Sequence, residues 1–303
     1  MADISKMFEA YHKHLNIIKD LAITDRKDEY ICPICLRGFR KHEINKLSLE
    51  DVPQKAVGGK KIAITCKECN NTQGNTIDYH LINFIDFIER RQFLIGSDRK
   101  IVIGELNDDN PINASIRVND SNDIDLLIPN NYYKSKEYLE RLNLMVKGKQ
   151  LWAQDKPLII DKRFVSTAII KNAYITLFSK TGYTFLLDDY YDRLRLHIKD
   201  PESYSLPKGM WKPIRETNCA DGVYMTKNNF LYGFFVIFTA YRIRNYRFIT
   251  YIPSPSVTFE EAIESFRQIK TAEGLVLKRL DNEKLLWEED ELKKLRDWTY
   301  TLN

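Results

Sequence analysis

Two Cys-x-x-Cys pairs near the N-terminus constrain this chain more than any other feature. Cys32-Pro33-Ile34-Cys35 and Cys66-Lys67-Glu68-Cys69 place four thiolates on two tight turns. That arrangement closes a tetrahedral Zn2+ site, or one for an equivalent structural metal. The insert from Leu36 to Thr65 is 30 residues, longer than the roughly 15–20 of a simple zinc ribbon, so it has room for a full hairpin. Only Cys219 of the five cysteines stands outside the pairs. This usage predicts metal-bound thiolates in a reducing compartment, not a secreted disulfide scaffold.

Apolar spacing predicts a helix over residues 3–22, through Met7, Phe8, Tyr11, Leu15 and Ile18. A hairpin is expected from about Leu47 to Ile64, turning at Gly58-Gly59, and a helix from Cys69 or Thr76 through Arg91. Short strands follow at 101–103, 114–118 and 124–128, then a helix over 134–146. Arg163 to Lys180 reads as an amphipathic helix with an aromatic face, stopping at Thr181-Gly182. Tyr190 to Ile198 continues in helical style. Beyond Pro201 the pattern turns to aromatic strands (Tyr224, 230–241, 247–252), then a helix at 258–270, a strand at 275–278 and a charged helix at 288–297. The fold class expected is α+β: a zinc-bound N-terminal module over 1–92 and a mixed α/β region over 93–303, with a weaker break near 200–220.

Net charge is only +4, but its distribution is uneven. From Leu36 to Lys67 eight basic residues, among them Lys55, Lys60, Lys61 and Lys67, face three acids, Glu43, Glu50 and Asp51. An excess of this kind suits a phosphate backbone, as does an ordinary solvated surface. A second basic stretch, Tyr241-Arg242-Ile243-Arg244-Asn245-Tyr246-Arg247, interleaves Arg with Tyr. There Arg242 and Arg244 can meet phosphates while Tyr stacks on bases. The N-terminus lacks the apolar core of a signal peptide, and no run approaches the roughly 18 apolar residues of a membrane span. A cytoplasmic protein without a membrane partner is the expectation.

Between and after the cysteines run Leu49-Glu50-Asp51-Val52-Pro53, Gly58-Gly59, Cys69-Asn70-Asn71 and Gly74-Asn75. Over about residues 30–92 this set resembles the HNH endonucleases. The resemblance extends weakly to Lys171-x-Ala173-Tyr174 through Gly182-Tyr183. It implies a ββα fold around a catalytic Mg2+ or Mn2+. By position it makes Glu50 a metal ligand, Asp51 the general base, Asn70 the second ligand and Asn75 a further positioning residue. The chain departs from the family at Asp51, where the base is ordinarily His, and at Lys61, in place of the middle Asn. An unperturbed Asp titrates near 3.9 and is a weak base at neutral pH. Asp51 therefore stands as base or as second carboxylate ligand, with His80 able to serve as base or to cap the core.

The leading expectation is a metal-dependent endonuclease acting on DNA. Restriction or anti-phage defence is a setting suggested by analogy alone, with a homodimer or a partner subunit as the wider assembly. The alternative is a zinc-stabilised nucleic-acid-binding or scaffold subunit without catalysis, motivated by the missing His at position 51.

Overall fold

Helix α1 (Ile4–Asp20) starts at Asp3, whose carboxylate accepts the Ser5 amide at 2.9 Å, and buries Phe8, Tyr11, Leu15 and Ile18. These residues, three and four apart, make one apolar stripe. The chain is seen here in a computed structural model that describes residues 3–21, 23–105, 111–129, 140, 151–214, 219–228, 231–269, 277–280 and 288–300. Apart from residue 140, the expected helix at 134–146 lies outside the described residues, as do the first two residues of the expected strand at 275–278.

After α1 come the two-residue strands β1 (Tyr30–Ile31) and β2 (Gly38–Phe39), which pair antiparallel around the first cysteine turn. Strands β3 (Leu47–Val52) and β4 (Lys60–Cys66) form the expected hairpin, with a register shift between Glu50 and Asp51. Its loop turns on two glycines for different reasons. Gly58 has φ +82°, a left-handed conformation that L side chains resist, and any Cβ on Gly59 would overlap the Pro53 carbonyl. Helix α2 (Lys67–Gln73) leaves β4 directly, and a π turn (Gly74–Asp78) leads into α3 (Tyr79–Arg91).

Helix α4 (Lys162–Thr181) is capped by Asp161, which accepts the Arg163 amide at 2.7 Å, and stops at Gly182. The sequence predicts an amphipathic helix here. Instead α4 is buried on nearly every side, including the polar Thr167, Lys171 and Asn172. The reason is its position: it touches β3, β4 and the π turn, and also the strands of the large sheet. A helix covered all round has no solvent face to make polar.

Helix α5 (Asp192–Lys199) and strand β9 (Trp211–Ile214) follow α4. The large sheet adds β10 (Gly222–Asn228), β11 (Leu231–Tyr241), β12 (Asn245–Pro253) and β13 (Leu277–Arg279), in the order β13-β10-β11-β12-β9. Residues 231–238 are buried without alternation, so both faces of β11 are covered. Helices α4 and α6 (Phe259–Gln268) lie against it, and α7 (Glu289–Tyr300) adds Trp298 beside Phe234.

Four strands between α3 and α4 form a separate sheet. These are β5 (Asp98–Glu105), β6 (Ile112–Val118), β7 (Ile124–Leu127) and β8 (Leu151–Asp155), in the order β7-β6-β5-β8. Ile101, Ile103, Ile112 and Ala114 make their small core.

All pairings among the described residues are antiparallel, so the described part of the chain fits α+β, and the region after 93 mixes helices with antiparallel strands. The division expected at 92/93 also differs from that of the contacts. One unit is Met1–Ile82 with Ile160–Asn303, the other Asn83–Ile159, and no break falls near 200–220. The physical reason is a shared core. Phe8, Tyr30 and Cys32 of the cysteine region pack in one cluster with Tyr174, Phe178, Tyr183 and Phe234.

Candidate metal centre and its surroundings

The first cysteine turn is held by the Leu36 amide donating to Cys32 O and the Cys32 amide donating to Arg37 O, both at 2.9 Å, with Leu36 in the left-handed region at φ 57°. The second turn forms where β4 passes into the first turn of α2. The four Sγ atoms of Cys32, Cys35, Cys66 and Cys69 lie within 4.8 Å of one another, and none is in a disulfide. Four sulfurs about 2.3 Å from a tetrahedral ion sit roughly 3.8 Å apart. The Cys35 and Cys66 sulfurs are 3.8 Å apart. The donor set and spacing therefore fit zinc.

Backbone amides support the thiolates. Cys66 N donates to Cys32 Sγ and Cys69 N to Cys66 Sγ, each at 3.4 Å. The Arg37 guanidinium reaches Cys66 Sγ at 3.6 Å and pairs with Glu68, adding positive charge beside a centre of four thiolates. Four thiols this close compete for protons. Hydrogen bonding with Cys32 holds Cys35 and Cys66 below the usual thiol range, and the same crowding holds Cys32 and Cys69 above it.

Tyrosines fasten the centre to α4 and the residues after it. Tyr174 donates its hydroxyl to Pro33 O at 2.9 Å. Tyr183 accepts from Ile31 N at 2.9 Å and donates to Ile31 O at 2.8 Å. Tyr11, Tyr30, Phe178 and Tyr183 pack ring against ring beneath.

The residues expected to hold a catalytic ion are placed otherwise. Glu50 is 2% exposed. Its Oε1 lies 2.7 Å from the Lys171 ammonium, and its Oε2 accepts the Thr65 hydroxyl at 2.8 Å. Lys171, wholly buried, also lies 2.7 Å from Asp78 Oδ2. An ammonium thus occupies the place between two carboxylates where a catalytic cation was expected to sit beside Glu50. Burial alone would lower the Lys171 pKa, but the attraction of Asp78 and Glu50 outweighs it and raises it. Burial pushes the Asp78 carboxyl up to about 6 against the pull of Lys171. The Gln54 side-chain amide also bears on the Asp78 carboxyl and favours its charged form.

Asn70 is tied to the hairpin through its amide nitrogen. Its amide donates to Ser48 Oγ at 2.9 Å and to Leu49 O at 3.3 Å, pinning α2 to β3. His80 is buried, accepts the Asp161 amide on Nδ1 at 3.1 Å and stacks on Phe164, so it joins the start of α3 to the cap of α4. Asp51 is half-buried at the register shift, opposite Lys61, and Asn75 is exposed on the π turn. Lys55, Lys60, Lys61, Lys67 and Arg244 are exposed, and Arg242 is half-buried. Among the described residues the four cysteines are the one cluster of three or more His, Cys, Asp or Glu gathered as a metal site. The geometry thus does not fit a Mg2+ or Mn2+ at Glu50.

Sequence reasoning missed Lys171 and Asp78. The only signal for Lys171 was the Lys-x-Ala-Tyr pattern on α4, read there as an aromatic packing face; Asp78 carried none. No helix among the described residues is long and apolar enough to cross a membrane. No protein-family model, curated protein or solved structure matches the chain.

Proposed function

We propose that this chain is a zinc-stabilised nucleic-acid-binding protein, built on an HNH-like hairpin and helix whose acidic centre is closed to catalysis. One contrast within the hairpin carries the reading. Glu50 faces inward and is held by Lys171 and Thr65, while Lys55, Lys60 and Lys61 of the same hairpin face solvent. Exposed lysines on a rigid, metal-anchored hairpin can neutralise phosphates. A carboxylate whose oxygens already meet an ammonium and a hydroxyl has little capacity left for an ion that needs oxygen ligands and its own waters.

A second reading, the metal-dependent endonuclease, is favoured by Asp51. This carboxylate is half-buried rather than sealed, sits at the register shift, and belongs to the stretch that resembles the HNH signature. One set of assays separates the two. Fluorescence anisotropy with labelled DNA and RNA at several salt concentrations measures binding. Supercoiled plasmid with Mg2+ or Mn2+ measures cutting. Salt-dependent binding without cutting supports the proposal. Cutting that is lost in Asp51→Ala and kept in Glu50→Gln moves the function to the nuclease with Asp51 as its working acid. Zinc-loaded protein that binds no nucleic acid at low salt sinks the binding reading.

A further inference from the structure

The two basic stretches singled out in the sequence are more than 170 residues apart, yet the fold brings them together. The β3–β4 loop packs directly on the end of β11. A Cβ built on Gly58 would lie 3.1 Å from Tyr241 Cβ and 3.2 Å from the Tyr241 carbonyl oxygen. Tyr241 is the last residue of β11, and Arg242 to Arg244 make the turn into β12. The lysine loop and the Arg/Tyr turn are therefore neighbours within one unit.

A cleft of about 470 Å³ opens beside this contact. Pro53, Lys60 and Ile62 line it from the hairpin, Phe238 and Thr239 from β11, and Lys180 from the last turn of α4. Its one acid, Asp221, is engaged by the Thr239 hydroxyl at 2.9 Å and by Arg247 at 3.4 Å. The volume falls in the range of small-molecule pockets, roughly 300–1,000 Å³. Lys60 and Lys180 of its lining are exposed, as are Lys55 of the hairpin loop and Arg244 of the β11–β12 turn, and the Tyr241 ring is 53% exposed.

We infer that the β3–β4 loop, the β11–β12 turn and the cleft between them form one composite surface for single-stranded nucleic acid. The inference rests on the nucleic-acid reading above and names its ligand. The lysines and arginines follow the backbone, Tyr241 stacks on one base, and the cleft takes an unstacked neighbour. A duplex hides its base faces in the stack, so an exposed ring beside a concave cleft has no use for it. A single strand presents those faces, and cationic grooves with aromatic platforms bind such strands with little regard to sequence. DNA and RNA share this chemistry.

The test uses the full-length, zinc-loaded chain and fluorescence anisotropy. Probes are a labelled oligothymidylate, the matching oligouridylate and a mixed-sequence duplex. Tyr241→Ala is expected to weaken binding to the single strands by about 5- to 150-fold, the range for losing one stacked base, and to leave the duplex within about twofold. Tyr241→Phe keeps the ring and is expected to restore single-strand affinity. Lys60→Ala and Lys180→Ala are each expected to reduce the salt slope by about 0.7, the value for one lost phosphate contact on a single strand. Zinc content and circular dichroism equal to wild type confirm that each variant is folded. Duplex bound more tightly than either single strand, or single-strand affinity indifferent to Tyr241→Ala, overturns the inference while leaving nucleic-acid binding intact. Wild-type protein that binds none of the three probes overturns both.

Discussion

Replacing Lys171 by methionine removes the ammonium and keeps most of the side chain's length and apolar stem. Two carboxylates then lose their cation in a site where Glu50 is 2% and Asp78 4% exposed. Their oxygens, each 2.7 Å from the same nitrogen, are within about 5.4 Å of one another, close enough for like charges to disfavour joint ionisation. Glu50 keeps the Thr65 hydroxyl, but the hydrogen bond to Asp78 Oδ2 is lost. Removing one member of a buried ion pair costs about 3–5 kcal/mol, a large part of the roughly 5–15 kcal/mol that a domain has. The sign of the pH effect follows from the same charges. Without Lys171 both carboxyls take up protons more readily folded than unfolded, so the variant loses stability as pH rises above about 4. Its deficit against wild type is therefore expected to be about 3–5 kcal/mol near pH 8 and clearly smaller near pH 5. Urea unfolding followed by circular dichroism at both pH values measures it, with equal m-values showing that stability alone has changed. A deficit under about 1 kcal/mol at pH 8, or an equal deficit at both, would refute the claim that the ammonium holds this centre.

Elemental analysis is expected to find about one zinc per chain, absent in Cys32→Ala, and chelation or acidification is expected to lower the melting temperature because the ligands must be thiolates; an unchanged melting temperature after metal stripping speaks against a structural site. Asp78 has a folded-state pKa of about 6 against an ordinary 3.8, so the folded state holds more protons between those values and stability falls as pH rises through that window, by about 3 kcal/mol. Asp78→Asn is expected to flatten that slope in a pH series of urea midpoints, and an unchanged slope would assign it to other groups. Gly58→Ala is expected to cost about 1–2 kcal/mol because its φ is +82° and its new Cβ meets Tyr241. Gly74→Ala, where φ is −55° and a Cβ meets nothing within 4 Å, is expected to be neutral or to stabilise by up to about 1 kcal/mol. Thermal melts of the two variants side by side check the contrast.

The local grammar of this protein was legible in its sequence. Paired cysteines at fixed spacing, Gly58-Gly59 between two apolar runs, and the apolar period of α1 each depend on neighbours within a turn or a strand, so their chemistry is written in order along the chain. The β3–β4 hairpin and the helix after it were visible for the same reason. Burial of Glu50 was not. Its fate depends on Lys171, more than a hundred residues later, and on α4 being covered from both sides, which no periodicity in α4 reveals. Asn70 and His80 went the same way: each carries a side chain suited to catalysis, and each is used by tertiary contacts with Ser48, Leu49 and Asp161. The contact division differs from the expected one because the cysteine region looks self-sufficient in one dimension, whereas its apolar floor is completed by Tyr174, Phe178 and Tyr183. The sequence by itself determined the four-cysteine cluster and the hairpin that runs between its two pairs. Only the tertiary structure decided which charges of that hairpin face inward to an ammonium and which face outward, because burial is a property of packed surfaces and not of residue order.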